Sequence, residues 1–257
     1  MLALQSVELP EELLSQPCID RAQPRPFLAD NPLDLVRAGN YQADIDIMLG
    51  VNEDDGLLIS EYFIPAPSLY EVLNQLWDFL GPFALFEEHH TEITAADIEI
   101  ATDILNYYTA GEGPEGLGPD KFRNITEMFT DSFFWFGNYL FLKNHLQHST
   151  GKTYQYRFSY DVSVTTRRTR EGQFCSLQGE YHRVHAPGLH HDNCPGVTHS
   201  DELYFMWNPF WEEDFPLNQP DLAMSLKLTT MWTNFAKTGD PSTEDFHWQS
   251  QDQENSQ

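Results

Sequence analysis

Apolar and polar residues alternate along two separate stretches of the chain. Ile45, Ile47 and Leu49 recur at every second position of residues 44–51, and residues 154–160 read Tyr-Gln-Tyr-Arg-Phe-Ser-Tyr. A period of two is typical of a β-strand with one buried face. We therefore predict strands over residues 44–51 and 154–160.

Between these strands the apolar residues follow the period of an α-helix. Residues 111–119, with four glycines and two prolines, interrupt this helical pattern. Beyond the break, residues 128–136 predict the middle of a longer helix with an aromatic stripe, and such a stripe is more often core than binding site. The two apolar stripes before the break are Leu69, Val72, Leu73, Leu76, Trp77 and Leu80, and then Ile98, Ala101, Ile104, Leu105 and Tyr108.

The last predicted element is an amphipathic helix over residues 222–237. Asp221 follows a proline and is a candidate N-cap, whereas Gly239 is the expected stop. The polar residues 249–257 are expected to form a disordered tail.

Composition predicts a globular protein. The chain has 257 residues, of which 40% are hydrophobic and 14% aromatic, enough for a large core. Its formal charge of −26, from 14 basic and 40 acidic residues, argues against a nucleic-acid partner. No stretch reaches the roughly 20 apolar residues that span a bilayer, so we expect no membrane insertion.

Candidate chemistry centres on the loop Pro-Gly-Val-Thr-His-Ser-Asp-Glu-Leu at 195–203. His199 is a candidate general base, because a neutral imidazole can accept and return a proton near neutral pH. A loop histidine without partners is more often a bystander. The partner that we predict is the acidic turn Asn-Glu-Asp-Asp-Gly at 52–56, at the end of the first strand, where a carboxylate can orient an imidazole.

Three blocks resemble the type-B carboxylesterase/cholinesterase family. They are Gly-Val-Asn-Glu-Asp-Asp-Gly at 50–56, Gly-Val-Thr-His-Ser-Asp-Glu-Leu at 196–203, and Met-Trp-Thr-Asn-Phe-Ala-Lys-Thr-Gly-Asp-Pro at 231–241. The resemblance implies that Asp55 and His199 are the acid and the histidine of a Ser-His-acid triad. The family usually has Glu at the acid position, so Asp55 is one methylene shorter. Glu53 and Asp54 are adjacent, and Asp55 could instead be an ordinary turn residue.

The resemblance also implies a partial α/β-hydrolase fold. The sequence has no Gly-x-Ser-x-Gly motif and no His-Gly-Gly-Gly loop, so the nucleophile elbow and the oxyanion hole are not present in it. We expect residues 1–248 to be the C-terminal part of the domain, with the two strands parallel in the central sheet beside a large helical region and the N-terminal half missing. By itself this chain should not hydrolyse esters.

The expected function of the full-length protein is hydrolysis of small carboxylic esters, without a cofactor. The main alternative is a non-catalytic, cholinesterase-like adhesion protein, although such proteins typically lose triad residues. The chain could also be a regulatory product in its own right, or an incomplete version of a longer sequence. Asp201 and Glu202 are expected to cap a short helix that follows them.

The remaining signals concern the secretory pathway and metals. Cys175 and Cys194 could close a polar loop by a disulfide, and Asn124 begins a glycosylation sequon, if the protein is secreted or extracellular as we expect. The first residues do not resemble a signal peptide. The Cys and His residues at 175, 185, 190, 191 and 194 match no zinc spacing, so we predict no metal site.

Overall fold

A computed structural model describes residues 19–63, 66–85, 93–160, 196–207 and 219–252. Two strands and nine α-helices lie in these ranges. The strands are β1 (Ile47–Asn52) and β2 (Thr153–Phe158). The helices are α1 (Pro32–Arg37), α2 (Leu57–Ser60), α3 (Ser68–Gln75), α4 (Trp77–Leu85), α5 (Ala95–Thr109), α6 (Phe122–Thr130), α7 (Phe136–His145), α8 (Leu203–Met206) and α9 (Gln219–Thr238).

The two strands form a parallel pair, as the sequence predicted. Ile47 is in register with Thr153 and Asn52 with Phe158. Tyr156 packs against Gly50, where a Cβ would overlap the tyrosine ring, so the strands approach closely at this point. The pairing continues past β1, because the Glu53 amide donates to the Phe158 carbonyl at 2.9 Å. The carboxyl end of β1 is thus held firmly against β2.

The helices between the strands enclose one hydrophobic core. Helix α5 begins at a capping box formed by Thr94 and Asp97, and it buries Ala101 and Leu105 completely. The first predicted stripe forms two helices rather than one, since Leu76 leaves helical geometry between α3 and α4. The core consists of Phe63, Tyr70, Leu73, Trp77, Leu85, Ala101, Leu105, Ile125, Met128 and Phe129.

The predicted long aromatic helix is present but contains a π-helical segment. Residues Asp131–Trp135 form this segment between α6 and α7. A π-helical turn adds a residue to the helix and rotates the side chains that follow it. Phe129 lies in the core, whereas Phe136 is exposed, so the aromatic stripe does not form one buried face.

A second core lies between β2, the histidine loop and the C-terminal helix. It is formed by Phe158, Val197, Phe205 and Leu228. Helix α9 ends before Gly239, whose φ of +69° is the left-handed geometry expected of a stop.

One detail of the predicted C-terminal region is wrong. Asp221 lies inside the first turn of α9 rather than at its N-cap, and it accepts a hydrogen bond from the Tyr160 hydroxyl. Gln251, in the predicted disordered tail, forms an antiparallel bridge with Thr153. This bridge places Gln251 beside the first residue of β2.

Candidate active site

The acidic turn is anchored at both of its ends. Asp55 is almost fully buried, and its Oδ2 accepts the Asn52 amide at 2.8 Å. Gly56 packs directly against α6, with its amide donating to Thr130 Oγ1 at 2.9 Å. A Cβ at Gly56 would overlap the Thr126 carbonyl oxygen, so this position requires glycine. The turn is consequently a rigid support for the Asp55 carboxylate.

Hydrogen bonds between residues on the two sides of His199 hold the loop that carries it. Thr198 donates its amide to Asp201 Oδ2 at 2.9 Å and accepts the Asp201 amide at its carbonyl at 3.1 Å. Ser200 has a φ of +69°, a conformation that a non-glycine residue rarely adopts. This tight turn lies directly after His199.

The structure brings His199 and Asp55 together from 144 positions apart. His199 Nδ1 lies 3.0 Å from Asp55 Oδ1, with 3% of the Asp55 side chain and 43% of the His199 side chain exposed. The hydrogen bond that His199 Nδ1 donates to Asp55 raises the pKa of His199, although partial burial of the ring opposes this shift. Because Nδ1 faces the carboxylate, Nε2 is the nitrogen that can exchange a proton with another molecule.

The neighbouring carboxylates of the turn have other partners. Asp54 contacts the histidine loop backbone and Arg123, and Glu53 pairs with Arg157 at 3.1 Å. Of the three adjacent acids, Asp55, the one that the resemblance implies, is hydrogen-bonded to the imidazole.

The predicted capping role of Asp201 and Glu202 is wrong. Helix α8 has no side-chain hydrogen bond at its N-cap, because both carboxylates are used inside the site. Asp201 closes the histidine loop, whereas Glu202 Oε2 accepts the Asn52 side-chain amide at 2.6 Å. The same Asn52 amide donates to the Thr198 carbonyl at 2.7 Å. Asn52 thereby links the end of β1 to both parts of the histidine loop, a role that no periodicity in the sequence signals.

A cleft of about 300 Å³ opens at this pair of residues. Its wall includes Asp55, His199, Glu202 and, from the π-helical segment, Phe133 and Phe134. The Phe134 ring lies 4.9 Å from the His199 ring between centroids. The sequence singled out no member of the aromatic stripe as a site residue, because only the tertiary contact distinguishes Phe134 from its neighbours.

Several other predictions concern features away from this cleft. The residues Cys175, His185, His190, His191 and Cys194 lie outside the described residues. Asn124 lies in α6, where its side-chain amide donates to the Tyr108 carbonyl at 2.8 Å. Across the described ranges, no helix combines the length and the apolar character needed to cross a bilayer.

Sequence comparisons relate nearly the whole chain to esterases. The model of the carboxylesterase family matches residues 5–257. A carboxylic ester hydrolase of Bombus ignitus is 26% identical over 239 residues, covering 92% of this chain and 38% of that protein. The juvenile hormone esterase of Tribolium castaneum is 24% identical, with 89% and 36% covered. The chain therefore spans less than two fifths of the length of these relatives.

Structural comparisons give the same picture for the fold. The juvenile hormone esterase of Manduca sexta, solved with OTFP covalently attached, superposes with a TM-score of 0.59 at 17% identity, covering 88% of this chain and 38% of that one. PNB esterase superposes with a TM-score of 0.56 at 20% identity, covering 98% and 40%. Both are α/β-hydrolase esterases, and this helix-rich chain with its small parallel sheet superposes on part of that fold.

Proposed function

This chain belongs to the carboxylesterase family, and from that premise we propose that it supplies the base and the acid of a serine esterase that hydrolyses small carboxylic esters. The observation that carries the proposal is the 3.0 Å contact between His199 Nδ1 and the buried Asp55 carboxylate. Such a carboxylate holds the imidazole in one tautomer, with the proton on Nδ1 and the lone pair on Nε2.

The roles of the two residues follow from this geometry. His199 Nε2 removes the proton of a serine hydroxyl as the serine attacks the ester carbonyl, and it then protonates the departing alcohol. Asp55 stays ionised and stabilises the imidazolium that forms in between. A water molecule then hydrolyses the acyl-enzyme by the same proton transfers in reverse. No cofactor takes part in these steps.

The serine is proposed to come from a region of the full-length protein outside these 257 residues. The support for this is the lack of a Gly-x-Ser-x-Gly motif in the sequence, together with the share of the relatives that the chain spans. The half-exposed His199 ring at the wall of the cleft is accessible to such a serine. The chain by itself is accordingly expected to be inactive.

The test replaces the proposed base in the full-length protein. We expect His199→Ala to lower kcat for a simple aryl ester by at least about 10³-fold, since triad residues act as one unit. Glu53→Gln is the matched control, because it removes a partly buried carboxylate two residues from Asp55 that pairs with Arg157 and not with the histidine. Unchanged turnover in His199→Ala would refute the role of His199 as the base, whereas a full-length wild type without turnover would favour a non-catalytic member of the family.

A further inference from the structure

Asp54 connects the acidic turn to the histidine loop without touching the imidazole. Its backbone amide donates to the Val197 carbonyl at 3.0 Å, and its Oδ2 accepts the Val197 amide, also at 3.0 Å. Asp54 thus both donates a hydrogen bond to Val197 and accepts one from it, and Val197 lies two positions before His199.

The Asp54 carboxylate is buried and charge-compensated. Only 4% of its side chain is exposed, and its Oδ1 lies 2.6 Å from Arg123 Nη1 of α6. A buried carboxylate is costly unless it is paired and hydrogen-bonded. Arg123 satisfies this need and at the same time fixes the carboxylate in the orientation that meets the Val197 amide.

The backbone beside this contact is adapted to Asp54. Gly196 has a φ of +137°, and a Cβ there would overlap Asp54 Oδ2. Only glycine allows the loop to come this close to the carboxylate. Turn, loop and α6 therefore meet at a single side chain.

We propose that Asp54, held by Arg123, is a positioning residue that fixes the histidine loop on the acidic turn and so keeps His199 in bonding geometry with Asp55. This inference rests on the proposed esterase function. It assigns different tasks to two adjacent carboxylates: Asp55 orients the imidazole directly, whereas Asp54 orients the loop that carries it. Neither Asp54 nor Arg123 contacts the cleft in which His199 lies.

The inference is tested with Asp54→Asn in the full-length esterase. Asparagine keeps the size of the side chain, but its single carbonyl oxygen cannot serve Val197 and Arg123 as two carboxylate oxygens do, and it carries no charge. We expect kcat for an aryl ester, counted per titrated active site, to fall by about 10- to 100-fold with little change in KM, since small misplacement of a catalytic group has effects of this size.

A second readout separates positioning from a contribution to stability alone. When the histidine loop is no longer held on the acidic turn, the hydrogen bond between His199 and Asp55 weakens. Because this bond raises the pKa of His199, the acid limb of the kcat/KM profile moves to lower pH. Arg123→Gln, at a half-exposed position, is the milder second variant and should move both quantities in the same direction. Glu53→Gln, in the same turn but without a bond to the loop, should leave both as in the wild type.

Three outcomes overturn the inference. In the first, Asp54→Asn lowers the thermal midpoint while kcat per active site and the acid limb stay unchanged. In the second, Asp54→Asn yields no folded enzyme and Arg123→Gln behaves as the wild type. In the third, Glu53→Gln reproduces the losses, which would point to the charge of the turn rather than to the bond. Failure of the esterase proposal is recognised separately, because His199→Ala would then retain full activity.

Discussion

Replacing Asp55 with asparagine tests the direct contact on which the proposed chemistry depends. In the wild type, Asp55 Oδ1 accepts from His199 Nδ1 and Oδ2 accepts from the Asn52 amide. Asparagine has one acceptor and one donor end in the same shape. Either its NH₂ group faces the imidazole and leaves the proton on Nε2, where it blocks proton removal, or it faces the Asn52 amide and two donors oppose each other.

The expected loss of kcat follows from these two orientations of the asparagine side chain. The same substitution in the serine-protease triad lowers kcat by about 10⁴-fold through the wrong tautomer. At about 1.36 kcal/mol for each factor of ten, this is roughly 5 kcal/mol of transition-state stabilisation. The folded state should lose less, about 1–3 kcal/mol for one unsatisfied buried group. The variant should therefore remain folded, since domains are typically stable by about 5–15 kcal/mol.

The assay is the pH dependence of aryl-ester turnover by the full-length protein. The base form of His199 is required, and Asp55 raises the pKa of His199, so wild-type kcat/KM should decline as the pH falls through a value above the usual 6.5 or so. In Asp55→Asn the residual activity should persist to lower pH, because the raising interaction is lost. A loss of kcat below tenfold, or an acid limb that does not move, would refute the assignment of Asp55.

Two further variants probe the support of the site and its aromatic wall. Gly56→Ala should destabilise the folded protein by about 1–3 kcal/mol, because the added Cβ overlaps backbone atoms of Thr126 and Thr130 that cannot move aside. The loss is measured as a lower denaturation midpoint in urea, and an unchanged midpoint would contradict this packing. Phe134→Ala should expose the His199 ring to water and so raise the pKa of His199 further. The acid limb then moves to higher pH, opposite to the effect of Asp55→Asn. Movement to lower pH would show that the Phe134 ring does not shield the histidine.

Local patterns in the sequence identified the elements that have a regular apolar period. The strand at Thr153–Phe158 follows from strict alternation, and α5 follows from its apolar period. The π-helical segment was not predicted, because a single inserted residue hardly alters the hydrophobic period over a short stretch. The same holds for the break at Leu76, where the apolar stripe continues although the helix does not.

The predicted capping by Glu202 failed for a related reason. A carboxylate before a short helix is favoured by the helix dipole, but only by a fraction of a kcal/mol at an exposed site. In the folded protein a hydrogen bond from the Asn52 side chain is available to Glu202 instead. A partner 150 positions away in the sequence leaves no local signature, so this bond could not have been anticipated.

The sequence by itself determined the family resemblance, the two strands, most of the helices and the pairing of Asp55 with His199 as candidates, since these depend on local periodicity and on short motifs. Only the tertiary structure decided which acid of the turn bonds the imidazole, and it alone identified Asp54, Arg123 and Phe134 beside them. The physical reason is that three adjacent carboxylates have the same chemistry along the chain. They differ only in what the folded backbone brings within about 3 Å of each one, the distance over which a hydrogen bond forms.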